Sequence, residues 1–146
     1  MAAMIRAMKT ALPWRLQPAA LAWSLVLLVA LVLLATIGAR TGWLRSFFGD
    51  VLAVIWLHAV FRSMLAVRPL YLALAAFGTG CALELGQYLA ALGHWTLPNR
   101  ALRILLGSTP DWNDVLAYGL GLATILLLEW RAGRTGAGPS ARPPGR

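Results

Sequence analysis

From position 18 to position 38 the chain runs for 21 residues without a charge, and positions 25–34 are built from Leu, Val and Ala alone. At about 1.5 Å of rise per residue, a helix of that length covers the roughly 30 Å of bilayer hydrocarbon. A helix on a soluble core needs a polar face, and this run has none. Arg6, Lys9 and Arg15 precede it, a lead-in shared by uncleaved signal anchors and cleavable signal peptides. A signal peptide has a shorter apolar stretch and a small-x-small cleavage site. Thr36, Gly38 and Ala39 make a poor site, so the run reads as a retained transmembrane helix.

Three more runs follow. Asp50 to about Leu65 is interrupted by His58 and ends at Arg62; Pro69 to about Leu92 contains Glu84 and Gln87; Asn113 to Trp130 opens at Asp114. Trp14, Trp43, Trp95, Trp112 and Trp130 fall near the proposed helix ends, where interfacial indoles concentrate. Only 12% of the 146 residues are charged and 60% are hydrophobic, against roughly 25% charge in a soluble domain. The expected fold is all-α, an integral membrane bundle of about four helices. Residues 1–17 form a basic cytoplasmic N-terminus, 18–131 the transmembrane domain, and 132–146 a disordered cytoplasmic tail rich in Gly, Pro and Arg. Pro98, Asn99, Arg100 and the apolar Leu102, Ile104, Leu105 and Leu106 suit a short outer interfacial segment between the third and fourth helices, ended by Gly107. The single cysteine, Cys81, sits inside an apolar run and permits no intrachain disulfide.

The net charge of +8 has two readings, nucleic acid and membrane. Twelve of the thirteen basic residues are arginines spread along the ends of the apolar runs, a distribution that suits lipid headgroups and topology control. The lipid bilayer is therefore the expected partner, and nucleic acid is not. With Arg6, Lys9, Arg15, Arg62, Arg68, Arg131, Arg134, Arg142 and Arg146 on one side and Arg40, Arg45, Arg100 and Arg103 on the other, the bias is nine to four. Both termini are then cytoplasmic, and Asp50, Asp111 and Asp114 lie at the outer face.

An ionisable side chain at bilayer depth costs about 2.5–3.5 kcal/mol on insertion scales, so each needs a reason. Helix 2 descends from the outer face with Asp50 at its edge and His58 about 12 Å deeper, Arg62 following on the same stripe. Helix 3 rises, placing Glu84, Gln87 and Tyr88 on one face of its outer half. Helix 4 descends with Asp114 at its mouth and Tyr118 one turn below. A polar pocket of Asp50, His58, Arg62, Glu84, Gln87, Asp111, Asp114 and Tyr118 is the expectation. For Asp111 and Asp114 the plain alternative is capping of helix 4. Gly78, Ala82 and Gly86 form a small-xxx-small stripe on helix 3 that makes it the expected central helix, with Ala117 and Gly121 of helix 4 as its mate. Small residues are also simply common in membrane helices.

The succession GDVLAVIWLHAVFR at 49–62, ALELGQY at 82–88 and RILLGSTPDWNDVLAYGLG at 103–121 resembles a family of small bacterial four-helix membrane proteins of unknown function, similar to the VanZ-like proteins. The resemblance covers about Arg40 to Trp130. It implies that Asp50, Arg62, Glu84, Gln87, Asp111, Asp114, Tyr118 and Gly121 occupy the family's polar motif positions. His58 and Pro110 stand where relatives often carry aromatics. The VanZ-like likeness implies a link to the cell envelope but brings no established chemistry.

Three functions follow from these residues. One is a binding or interaction protein with a lipid-linked ligand or a membrane protein partner. Another is a membrane-embedded enzyme acting on a lipid-linked or envelope-precursor headgroup, with Glu84 as general base or acceptor. A proton-coupled transporter with Glu84 and His58 as relay is weakest, since four short helices scarcely enclose an alternating path. The sequence holds no G-x-S-x-G, no H-E-x-x-H and no Walker-type loop, and His94 beside Trp95 reads as interfacial. Asp50, His58, Glu84 and Asp114 are adequate ligand types without a spacing motif, so no metal or other cofactor is expected. Non-enzymatic binding is the working expectation, and no catalytic residue is assigned.

Overall fold

The computed structural model describes residues 14–37, 42–93 and 111–135. They form four helices: α1 (Pro18–Thr36), α2 (Trp43–Met64), α3 (Pro69–Leu92) and α4 (Trp112–Thr135). All four are long and apolar enough to cross a membrane. The expected interfacial segment between the third and fourth helices, His94 and the end of the tail lie outside the described residues.

Local chemistry explains the boundaries. Proline opens both α1 and α3, where its missing N–H costs nothing because a first-turn N–H has no helical partner. Arg68, held extended by Pro69, separates α3 from α2. Asp111 caps α4: its Oδ1 accepts the Asn113 backbone N–H at 2.9 Å and the Asn113 side-chain amide at 2.9 Å. α2 starts at Trp43, seven residues before the apolar run, because Arg45 does not end it. The Arg45 guanidinium donates to the Ala35 carbonyl at the end of α1, 3.3 Å away. α4 likewise continues past Arg131 to Thr135, with the Arg134 guanidinium 4.0 Å over the Trp130 ring.

α1 lies antiparallel on α2. Its lead-in is tied to the far end of α2 by Arg15 N–H donating to the Met64 carbonyl and Gln17 N–H to the Ser63 carbonyl, both 2.9 Å. Nearly all of α1 faces outward, and Ser24 is its one buried residue. α2 packs on α1, α3 and α4, and α3 packs on α4. The central helix is therefore α2, not α3 as the small-residue stripe suggests. Gly78, Ala82 and Gly86 are exposed, and a Cβ added at Gly78 or Gly86 would meet nothing within 4 Å.

The close approaches fall at Gly80, which the stripe misses, and at Gly121, an expected packing residue that meets α2 and not α3. A Cβ at Gly80 would stand 2.8 Å from the Tyr118 ring, and one at Gly121 would stand 2.9 Å from the Val51 carbonyl oxygen. Ala73, Ala76 and Ala117 are fully buried beside them. Small side chains at these positions let the helices approach to backbone contact, which drives association where lipid removes the hydrophobic force. Val54, Tyr118 and Ile125 complete the core, with Phe61, Phe77 and Leu122 against it. Leu, Val and Trp side chains such as Leu25, Trp23, Leu74, Leu85 and Leu127 cover the outside. So much outward apolar surface suits lipid rather than water.

At the end of the bundle away from the acidic residues, Arg62 of α2 pairs with Glu129 of α4. Each side chain keeps some exposure, 39% and 25%, which limits the pair's contribution. Arg62→Met is expected to destabilise the detergent-solubilised protein more than Arg62→Met combined with Glu129→Leu, because the single change strands a carboxylate. A double-mutant cycle on unfolding should give a coupling of about 1 kcal/mol or less. No coupling would show the two groups do not meet.

Candidate functional site

The site grows from the buried stripe of α3, which runs Ala73, Ala76, Gly80, Glu84. The bare backbone at Gly80 makes room for the Tyr118 ring of α4. One turn further on, Glu84 is only 7% exposed and collects two donors. The Asp111 backbone N–H lies 3.2 Å from Oε2, and the Tyr118 hydroxyl lies 3.5 Å from Oε1. Both bonds cross from α3 to α4, so Glu84 fastens the start of α4 to the interior of α3.

These contacts set the depths. Glu84 lies eight residues before the end of α3, about 12 Å along the axis, and Asp50 lies seven residues after the start of α2, about 10 Å. α4 begins at the level of Glu84, so its N-terminus is recessed between α2 and α3. Asp50 of α2 enters the same recess. Its carboxyl group faces that of Asp114 at hydrogen-bonding range, and Asp114 in turn lies in range of Glu84. Two carboxyl groups so placed repel unless a proton or a cation lies between them. The second Asp50 oxygen, Oδ2, is buried and has no hydrogen-bond partner among the described residues.

Beside this cluster runs a groove with a volume of about 640 Å³. Cys81, Glu84, Leu85 and Tyr88 of α3 form one wall, and Asp111, Trp112 and Val115 form the other. The walls are mainly apolar, and the Glu84 carboxylate meets the groove at the same place where it holds α4. A groove with apolar walls and a few convergent polar groups is the usual form of a small-molecule site.

Of the residues expected in one pocket, the structure brings together Asp50, Glu84, Asp111, Asp114 and Tyr118. Gln87 is half-buried one turn beyond Glu84 and bonds no described residue. His58 and Arg62 are not in the cluster: eight and twelve residues along α2, they belong to the other half of the bundle. His58 is 6% exposed, its ring approaches the Pro69 carbonyl, and its Nε2 has no partner among the described residues. Arg62 is engaged with Glu129. Glu129 went unassigned in the sequence, although a signal was present. α2 and α4 run parallel, and Glu129 follows Asp114 by about the same interval as Arg62 follows Asp50. The groove-lining Leu85, Trp112 and Val115 carry no sequence signal that separates them from other lipid-facing residues.

Fold and site together define a multi-pass membrane protein with a recessed acidic end. Residues 39–122 match the model of a family described as "Protein of unknown function (DUF2809)", and the chain belongs to that family. No curated protein and no solved structure matches it. The matched span includes every residue of the acidic cluster and stops before Glu129 and the end of α4.

Proposed function

We propose that this protein binds an amphiphilic ligand in the groove between α3 and the start of α4, with the acidic cluster addressing the ligand's polar head. The observation that carries the reading is the groove itself. It is apolar along its walls and meets a buried, hydrogen-bonded carboxylate. The arginine bias makes the acidic end the outer one, in the outer leaflet of a bacterial cytoplasmic membrane. The likeness to VanZ-like proteins supports a ligand from the cell envelope, such as a lipid-linked precursor, or an envelope protein partner. One observation favours an enzyme as the second reading: Asp50 and Asp114 in carboxyl–carboxyl contact beside Glu84 hold the groups that general acid–base chemistry requires.

The binding reading is tested in phosphatidylcholine nanodiscs doped with a diacyl lipid that carries a photoreactive group in its chain and an uncharged hydroxyl head. Labelling should concentrate on Leu85, Tyr88, Trp112 and Val115, and Leu85→Trp together with Val115→Trp should abolish it. Labelling spread evenly over α1 and the lipid-facing side of α3 would mean that the groove holds nothing. For orientation, single cysteines at Ser108 and Gly138 on a Cys81→Ser background are expected to react from opposite sides, Ser108 from outside. Outside access at Gly138 with protection at Ser108 would reverse the topology.

A further inference from the structure

We infer that the groove takes a lipid whose head is an uncharged sugar, a conclusion that rests on the binding reading above and adds the head's chemistry to it. The observation behind it is the pairing of aromatic and carboxyl side chains on the groove walls. Tyr88 of α3 stands on one wall and Trp112 of α4 on the other, 47% and 81% exposed, so neither ring is spent on packing the bundle. Glu84 lies one turn from Tyr88, and Asp111 precedes Trp112 in the chain. Glu84 accepts one bond at each oxygen, from the Asp111 N–H and the Tyr118 hydroxyl, and Asp111 gives Oδ1 to the Asn113 amides. A carboxylate has about four lone-pair sites, so both residues keep acceptors for a ligand. Trp112 supplies an indole N–H and Tyr88 a hydroxyl, and neither is bonded to another described residue. The groove therefore presents acceptors and donors together, beside two uncovered ring faces. A head that only accepts, such as a phosphodiester, leaves the carboxyl groups unmatched, and one that only donates leaves the indole N–H unmatched. A sugar hydroxyl donates and accepts at once. The C–H face of a pyranose is apolar and lies flat on an aromatic ring, whose own face is electron-rich. A single hydroxyl would meet one polar group and leave both rings bare. The direction of the groove agrees with a lipid. Its aromatic and carboxyl side chains hold the end at the start of α4, and Cys81 and Val115 lie about one turn further into the bundle. With Leu85 they form the apolar part that takes hydrocarbon. The volume of about 640 Å³ falls in the range of sites for one small ligand, about 300–1,000 Å³.

The test compares four diacyl lipids with a photoreactive group in matched chains, in phosphatidylcholine nanodiscs holding the full-length protein. Their heads are glucosyl, glucosyl with every hydroxyl O-methylated, a single hydroxyl, and a phosphodiester. Groove labelling should be about tenfold greater for the glucosyl head than for any other, the size expected when one or two net hydrogen bonds are added. Trp112→Leu and Tyr88→Leu keep apolar bulk and remove a ring face. Each should take away most of that preference while leaving hydroxyl-head labelling of Leu85 and Val115 in place, which also shows that the variants are folded. Equal labelling by all four heads, or by the glucosyl head and its methylated form, would overturn the sugar assignment and leave the groove as a binding site. So would a preference that survives both substitutions, or stronger labelling by the phosphodiester. Absence of groove labelling by any head would remove the binding reading itself. Methyl glucoside, added as a competitor, should not displace the glucosyl lipid at matched concentration. Displacement would make the ligand a free sugar and overturn the lipid.

Discussion

Gly121→Leu is expected to prevent assembly of the bundle, and even Gly121→Ala should cost about 1–3 kcal/mol, the usual range for overpacking. The reason is what a Cβ at that position meets. The Val51 carbonyl oxygen would be 2.9 Å away and the Val54 Cβ 3.0 Å, both fixed to the α2 helix, so no side-chain rotation relieves the contact. α2 is also the helix on which the other three pack, and pushing it away from α4 loosens α1 and α3 with it. Gly78→Ala and Gly86→Ala provide the contrast. Nothing lies within 4 Å of either added Cβ, so each should stay within about 0.5 kcal/mol of the parent. Unfolding of the detergent-solubilised variants by added SDS measures all three. A harmless Gly121→Ala beside a damaging Gly86→Ala would mean that the helices pack through the other face of α3.

That contrast also marks how far the sequence can be read. An uncharged apolar run has one physical solution in lipid, so the helix count and the position of α3 are visible directly, and α1 ends only two residues from the limit of its run. The start of α2 is not visible, because Arg45 looks like a terminator until the Ala35 carbonyl is known to receive it. Packing faces are harder still. Gly78, Ala82 and Gly86 have the spacing of a helix–helix seam, but spacing does not tell a packed stripe from one left open, and Gly80 on the adjacent face makes the contact. The acidic cluster is legible because depth follows from residue count and chain direction, which bring Asp50, Glu84 and Asp114 to similar levels on three helices. The same count, applied to His58 and Arg62, takes them out of it. What no count provides is the recess. It arises because α4 starts two turns below the ends of its neighbours, a fact fixed by the Asp111–Glu84 bond and not by any residue type.

Glu84→Leu is expected to cost about 1–3 kcal/mol, for it strands the buried Tyr118 hydroxyl, worth roughly 1–3 kcal/mol when left unpaired, and takes the acceptor from the partly buried Asp111 N–H as well. Those donors are the Asp111 N–H, 3.2 Å from one carboxylate oxygen, and the Tyr118 hydroxyl, 3.5 Å from the other. Removing the carboxylate also relieves repulsion from Asp50 and Asp114, which works in the opposite direction and keeps the net loss at the lower end of the sum. Glu84→Gln separates the two effects. Its amide oxygen still accepts one donor, its charge is gone, and it should lose less than half of what Glu84→Leu loses. Tyr118→Phe removes only the longer bond and leaves the ring on Gly80, so its cost should be about 0.5–1 kcal/mol. Amide hydrogen exchange supplies a local readout that overall stability does not. In Glu84→Leu the Asp111 and Asn113 amides should exchange faster, because the cap of α4 is no longer anchored to α3. In Tyr118→Phe they should not. A Glu84→Leu protein as stable as the parent, with unchanged exchange at Asp111, would mean that the carboxylate does not hold α4. The recess, which owes its depth to that bond, would then have to be explained without it.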